Sequence, residues 1–317
     1  MQTKKTRKLS IVIPTYNEEM NVIPISEALV SMLENDLPEY DYEIIFIDNC
    51  SKDGTQALLS EICEKNKRIK AIFNAKNFGG NNSSFYGLLQ SSGDCTILTV
   101  ADFQEPIDMI PVFVKEWEKG TKIVIGIKTS SKENRFMRFI RTCYYKAIKK
   151  LSDVEQIEHF MGFGLYDKTF ISILQNLNDS MPFLRGLVAE LGFKRKEIPY
   201  QQQQRRAGKS KYNLYRLYDL AMISFTSYTK IGLRLATMLG FFVSVISVII
   251  ALVYFVLKLI NWDAFPTGNA PILIGVFVLG GLQIFFIGLV GEYILSINNR
   301  VMNRPLVIEE ERINFGS

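Results

Sequence analysis

Asp102, Gln104 and Glu105 stand in Ala101-Asp102-Phe103-Gln104-Glu105-Pro106, directly after the apolar run Cys95-Thr96-Ile97-Leu98-Thr99-Val100. Such a run predicts a strand, so the acid and the amide fall at a strand's C-terminal end. In open α/β sheets ligands sit beyond those ends, and a carboxylate beside an amide oxygen suits Mg2+ or Mn2+ held against a diphosphate. A nucleotide sugar fits this better than a dinucleotide, since no GxGxxG occurs in the chain. The competing explanation is local: Asp102 would cap a helix opening at Pro106-Ile107-Asp108-Met109-Ile110.

Two further loops follow predicted strands in the same way, Pro14-Thr15-Tyr16-Asn17-Glu18-Glu19 and Asp48-Asn49-Cys50-Ser51-Lys52-Asp53-Gly54-Thr55. Tyr16 could stack on a base, Asp48 could accept from a base or ribose, and Asp53-Gly54-Thr55 reads as a helix start beside the nucleotide. Singly, Asn-Glu and Asp-Gly are ordinary turn and cap pairs. Three loops at successive strand ends point instead to one ligand site. A second, anionic ligand is suggested by Arg205, Arg206, Lys209 and Lys211 around Gly208, and by Arg135, Arg138 and Arg141. Both groups suit a phosphate, and both suit anionic lipid head groups.

The elements that must position these residues alternate. Strands are predicted at Leu9 to Pro14, Glu43 to Ile47, Ile69 to Phe73, Cys95 to Val100 and Lys122 to Gly126. Helices are predicted near Val22 to Leu33, Thr55 to Glu64, Asn82 to Gln90 and Ile107 to Lys119, with a basic helical stretch at Arg135 to Lys150. This βαβ rhythm builds a parallel sheet.

The chain of 317 residues is long enough for one such domain with material left over. The remainder holds two apolar runs, Leu235 to Leu257 and Ile272 to Val290, each about the ~20 residues of a membrane helix. Two buried core helices are the alternative. Lys230 and Arg234 before the first run, and Arg300 and Arg304 after the second, predict that both ends face the cytoplasm of a plasma membrane crossed twice. Domain boundaries follow: a cytoplasmic α/β domain at 1–211, an amphipathic juxtamembrane segment at 212–230, a two-helix transmembrane hairpin at 231–298 and a cytoplasmic tail at 299–317. Gly275, Gly280, Gly281, Gly288 and Gly291 along the second run would permit close helix packing and a homo-oligomer.

The formal charge of +5 resides in the part before Ile231 and suits anionic substrates and an anionic leaflet; no nucleic-acid partner is expected. Four cysteines without paired spacing indicate neither a zinc site nor a disulfide framework. The one histidine, His159, cannot by itself supply a Ser-His-Asp triad or a histidine-rich metal cage.

The loops Pro14-Thr15-Tyr16-Asn17-Glu18, Asp48 to Thr55 and Val100-Ala101-Asp102 resemble the P-x-Y-N-E, D-D-G-S-x-D-G-T and D-A-D pattern of glycosyltransferase family 2. Asn77-Phe78-Gly79, Asp102-Phe103-Gln104-Glu105-Pro106, Phe183 to Val188 and Arg206 to Tyr212 extend the resemblance to the bacterial polyprenyl-phosphate glycosyltransferases, relatives of dolichol-phosphate mannose synthase. It covers nearly the whole chain.

The resemblance implies a GT-A, Rossmann-like domain, followed by the juxtamembrane helix and two spans, and inverting, metal-dependent transfer of one sugar from a nucleotide-diphosphate donor, by resemblance UDP-hexose. The acceptor implied is a polyprenyl phosphate, serving cell-envelope glycan synthesis or modification. Asp102 and Gln104 would hold Mg2+ or Mn2+ and, with Glu105, form the catalytic group. Pro14, Tyr16, Asn17, Glu18, Asp48, Asn49, Asp53, Asn77 and Asp102 would line the donor site. Arg138, Arg141, Arg205, Arg206, Lys209, Ser210 and Lys211 would bind the acceptor phosphate.

The chain departs from the pattern at three places: Val100 replaces the first acid of D-A-D, Asn49-Cys50 replaces Asp-Gly, and Met161-Gly162-Phe163-Gly164-Leu165 stands where the family has G-D-F-R-L. The last removes an acid and an arginine. Either Lys128 or Arg141 substitutes, or the acceptor lies differently. Two alternatives keep the fold: a membrane-anchored scaffold without turnover, and a processive polysaccharide synthase. The latter should carry Q-x-x-R-W, whereas Gln202-Gln203-Gln204-Arg205 is followed by Arg206. A transporter is excluded by two short-looped spans without an ionisable residue in the first.

Overall fold

The computed structural model describes residues 7–129, 157–203 except 178, 180 and 181, scattered helical positions between 238 and 260, and 269–316 except 303. The basic stretch at 135–150, the glycine-containing loop at 204–211 and the juxtamembrane segment at 212–230 lie outside the described residues. Arg138, Arg141, Arg205, Arg206, Lys209, Ser210 and Lys211 lie there with them.

Strands β1 (Lys8–Thr15), β2 (Asp41–Asp48), β3 (Ile69–Asn74) and β4 (Cys95–Leu98) alternate with helices α1 (Glu19–Asp36), α2 (Thr55–Lys65) and α3 (Gly80–Gln90). Helix α4 (Met109–Glu118), strands β5 (Ile123–Lys128) and β6 (Phe160–Asp167), helices α5 (Lys168–Asn176) and α6 (Leu184–Glu190) and strand β7 (Arg195–Tyr200) complete the domain. Helix α7 (Asn269–Val301) and strand β8 (Glu309–Ile313) follow. One eight-stranded sheet has the order β7-β5-β6-β4-β1-β2-β3-β8. Strands β3, β2, β1 and β4 are mutually parallel, and β6 is antiparallel to both its neighbours, β4 and β5.

Sheet strands covered on both faces read as continuous apolar runs. Leu9, Ile11, Val12 and Ile13 of β1, and Ile44 through Ile47 of β2, have no exposed surface. One face packs under α1, α2 and α4 through Val22, Ile25, Leu29, Leu59 and Phe113; the other packs under α3, α5 and α6 through Phe85, Leu88, Phe170 and Val188. Val22, Ile25, Leu29 and Leu33 recur at helical spacing, which gives α1 one buried stripe.

At the strands' N-terminal ends sits a buried ionic knot. Glu43 accepts from Ser10 Oγ at 2.6 Å, from the Ser92 N–H at 2.7 Å and from Lys8 and Lys70 Nζ at 2.9 and 2.7 Å. Burial would raise its carboxyl, but the bonds from Lys70, Ser10, Ser92 and Lys8 outweigh it and hold the group down at about 2.

The segment set apart in sequence as a C-terminal tail supplies β8, which pairs antiparallel with β3 through Ala71 and Ile313, Ile72 and Arg312, and Phe73 and Glu311. The second apolar run lies inside α7, where Ile272, Val276, Ile284, Phe285 and Ile287 are exposed. Side chains of α7 are described at only some positions, and among the described residues no helix is long and apolar enough to cross a membrane.

Candidate active site

The loops after β1 and β2 are clipped to each other. Asp48 closes β2 fully buried, and its carboxylate accepts the Ser51 N–H at 2.9 Å, the Ser51 hydroxyl and Gln56 Nε2 at 2.8 Å. Asn17, in left-handed backbone at φ +53°, accepts the Lys52 N–H at 2.8 Å, and its own N–H donates to Ser51 Oγ at 2.7 Å. The Glu18 N–H donates to Thr55 Oγ1 at 2.9 Å, and Asp53 accepts from the Thr55 hydroxyl at 2.5 Å and the Glu19 N–H at 3.4 Å. Thus the predicted donor residues Asn17, Glu18, Asp48 and Asp53 come together, with much of their hydrogen-bonding capacity turned on each other. Pro14 stands inside β1 opposite Ile47, and Tyr16 is partly exposed just beyond the strand.

A third loop joins them through Asn49. Its Nδ2 donates to Asn77 Oδ1 at 3.0 Å, and its Oδ1 accepts the Phe78 N–H at 2.9 Å and Asn74 Nδ2 at 3.3 Å. Asn77 Oδ1 also accepts the Gly79 N–H at 2.9 Å, fixing the turn into α3. Asn77 is exposed, whereas Asn49 is 3% exposed.

Strand β4 ends at Leu98, two residues earlier than predicted, and the acidic loop follows. Phe103 adopts φ +60°, and the Gln104 N–H donates to Asp102 Oδ1 at 3.1 Å, so one tight turn carries both candidate metal ligands. Helix α4 begins at Met109 with Asp108 before it, which removes the reading of Asp102 as that helix's cap. Glu105 turns inward, 7% exposed, and accepts the Val100 N–H at 3.1 Å. Burial, with the Asp102 charge beside it, pushes its carboxyl up to about 8 against the lowering bonds of Thr99 and Val100. Its observed contact is with the backbone that holds the Asp102 turn.

Strands β5, β6 and β7 close the other side of this turn. The Gln203 N–H, three residues past β7, donates to Gln104 O at 3.1 Å, so the chain is held against the acidic turn one residue before the basic sequence at 204–211 begins. The two glycines of β6 answer a local geometry. A Cβ on Gly164 would sit 2.6 Å from Val124 O of the neighbouring strand, and Gly162 adopts φ +111°. An arginine or an acid there would strain this backbone. Sequence spacing did not single out Arg185 as a site residue, yet its Nη1 lies 3.9 Å from Met161 Sδ, beside Gly162. The motif Phe183-Leu184-Arg185-Gly186 was the available signal.

The model of glycosyl transferase family 2 matches residues 10–191, more than half of the chain. The chain belongs to glycosyltransferase family 2. A glycosyltransferase of Bacillus subtilis strain 168 without assigned substrate, YkoT, is 33% identical over 94% of this chain and 89% of its own length. The bactoprenol glucosyl transferase of Shigella phage SfX is 30% identical over 96% of this chain and 99% of its own. Bactoprenol is the polyprenyl carrier in that relative's name, and the relatives span the family-2 domain together with the C-terminal part. Glucosyl-3-phosphoglycerate synthase of Mycobacterium tuberculosis, solved with Mn2+, uridine diphosphate and phosphoglyceric acid, aligns at 16% identity over 70% of this chain and 78% of its own, with a TM-score of 0.47. The family match gives the domain its GT-A, Rossmann-like fold and makes the protein a glycosyltransferase.

Proposed function

We propose that this family-2 enzyme moves one hexosyl group from a UDP-sugar to the phosphate of a polyprenyl lipid, at the cytoplasmic face of a membrane it spans twice. The observation that carries the reading is the hydrogen bond from Gln203 to Gln104. It joins the turn bearing Asp102 to the first residue before the cationic loop at 204–211. In this reading the donor-side oxygen ligands and the acceptor-side cations serve one site. Two bactoprenol glucosyl transferases, 30% identical to the chain over almost its full length, support the lipid acceptor.

The donor set fits a hard divalent cation: one carboxylate and one amide oxygen in a single turn, with diphosphate oxygens to complete the shell. Bound there by Asp102 and Gln104, Mg2+ or Mn2+ would supply Lewis-acid stabilisation of the departing nucleotide diphosphate. The protein's own contribution is positioning. The loops after β1, β2 and β3 hold the nucleotide, Glu105 fixes the backbone of the turn, and Arg205, Arg206, Lys209 and Lys211, with Ser210, grip the incoming phosphate, joined by Arg138 and Arg141. A lipid phosphate is already ionised near neutral pH, so its oxygen attacks the anomeric carbon with little help from a general base. One displacement, with the acceptor opposite the leaving diphosphate, inverts that carbon.

Membrane placement rests on the apolar run inside α7, its exposed Ile284, Phe285 and Ile287, and the cations Arg300 and Arg304 that follow. Self-association through the glycines of α7 belongs to the same proposal, and a monodisperse monomer in detergent at micromolar concentration would remove it.

The test is transfer of radiolabelled sugar from a panel of UDP- and GDP-sugars to undecaprenyl phosphate in detergent, with Mg2+, Mn2+ or EDTA, for wild type and Asp102→Asn. Labelled lipid should form only with metal, and Asp102→Asn should lower the rate about a hundredfold or more, since the charge that steadies the leaving group is lost. Folded protein that labels no lipid from any donor, or labelling indifferent to both EDTA and Asp102→Asn, would overturn the reading.

A further inference from the structure

Arg185 occupies an unusual position for a cation. It is the second residue of α6, its guanidinium carbon lies 4.9 Å over the ring of buried Phe183, and its Nη1 reaches Met161 Sδ at 3.9 Å. Among the described residues, no carboxylate pairs with it. A guanidinium carries five donors in a planar fork. An aromatic face and a thioether fix the fork's orientation while leaving its hydrogen-bonding edge for something else.

The place of Met161 in the sheet says where that edge lies. Strand β6 runs antiparallel to β4, with Gly164 opposite Leu98. Carried two residues past the end of β4, the same register sets Gly162, next to Met161, at the level of Val100, the residue before the Ala101-Asp102 turn. Arg185 therefore stands at the level of the candidate metal turn. The sheet order puts the loops of β1, β2 and β3, where the nucleotide would sit, on the opposite side of that turn. A reacting acceptor oxygen must come within about 3–3.5 Å of the anomeric carbon, and a diphosphate held at Asp102 fixes that carbon near the turn. The side from which the acceptor arrives is the β6 side. Gly162 and Gly164 bring no cation of their own to that edge, and a side chain on Gly164 would collide with β5.

We infer that Arg185 binds the acceptor's phosphate from the β6 edge of the site, an assignment that rests on the transfer reaction proposed above. The planar fork takes two phosphate oxygens at once and, with Phe183 beneath it, loses little freedom in doing so. The third oxygen stays available for attack.

Wild type, Arg185→Gln and Arg185→Lys are compared in the detergent assay, using the donor wild type accepts and varying undecaprenyl phosphate and donor separately. Arg185→Gln should raise the acceptor KM about tenfold or more, while donor KM moves less than about twofold; Arg185→Lys, a point charge in place of a fork, should fall between. Thermal unfolding with and without UDP reports whether each variant is folded and still takes the nucleotide. Unchanged acceptor KM in folded Arg185→Gln overturns the assignment, and so does a rise in donor KM, which would place the fork on the donor's diphosphate. If wild type transfers to no polyprenyl phosphate, the reaction reading falls and takes this assignment with it. That outcome is visible in wild type alone, so it is distinct from failure of Arg185.

Discussion

Both ends of the Asn49 amide are engaged inside the protein, and that decides what its substitution would do. Its nitrogen donates to Asn77 and its oxygen accepts from Phe78 and Asn74. An aspartate there keeps the accepting oxygen but turns a second acceptor toward Asn77 Oδ1. Asn77 could answer by rotating its amide, which would withdraw the acceptor that holds the Gly79 N–H. Either way one hydrogen bond is lost, at about 0.5–1.5 kcal/mol. Asn49→Asp should therefore lower stability to urea by that amount and raise donor KM, with kcat less affected, because the loop beside the nucleotide loosens while the Asp102 turn is untouched. Stability and donor KM both unchanged would show that the two loops are not joined through this amide. Spacing in the sequence located Asn49 and Asn77 separately. It could not pair them, because their contact spans 28 residues and depends on the turn into α3. Glu105 was equally visible and equally ambiguous, since only its burial and its bond to Val100 distinguish a residue that braces the turn from one that faces substrate.

The strands carry different duties at their two ends. Their C-terminal ends hold loops full of polar groups poised for ligands, whereas the N-terminal ends are fastened by the Glu43 knot. Glu43 is fully buried with its group held at about 2, so its contribution to stability is complete above the ordinary carboxylate range and is lost as pH falls through about 2. A depression of roughly two to three pKa units corresponds to roughly 3 kcal/mol of stability at neutral pH. Urea unfolding between pH 6 and pH 3 should show wild type losing most of this increment. Glu43→Gln should be less stable at pH 6, since it leaves Lys8 and Lys70 without their carboxylate, and its pH slope should be correspondingly shallower. Equal slopes would mean that other carboxylates govern acid sensitivity. Elements of this kind were legible: each βα unit through α4 occurs where β-branched runs alternate with helical spacing, with boundaries differing by up to three residues. Helix α1 is the instructive case, since it starts at Glu19 and runs through Pro24, although the apolar stripe that revealed it begins at Val22. Its first residues escape pattern reading because Glu19 and Met20 are exposed and carry no part of that stripe.

At the scale of the whole chain, the domain is completed from both ends. Strand β8 lies beyond α7, yet it covers the edge of β3, and the segment around it is tied down by side chains. Tyr86 donates to Glu309 at 2.8 Å, Asn314 Nδ2 donates to Cys63 O and Ile69 O at 2.7 Å each, and Phe315 lies beneath Lys70 and Arg312. Its charged sequence, Glu309-Glu310-Glu311-Arg312-Ile313, hid it, because acid-rich runs rarely form strands and only pairing with β3 makes this one. A fragment ending at residue 211, the boundary that composition suggests, would leave β3 as a bare edge with unpaired backbone groups and uncover the patch under Phe315. Such a fragment should be less stable by roughly 2–4 kcal/mol and prone to self-association, given several lost backbone bonds and two uncovered apolar contacts. A second fragment, in which a flexible linker replaces 212–303 and restores 304–317, should recover most of the loss. Urea unfolding and sedimentation of the two fragments side by side test this. Equal stability would mean that β8 rests on the sheet without supporting it. Recovery would show that β8 supports the sheet edge formed by β3, so that the stretch between residues 211 and 304 is joined to the folded domain at both of its ends.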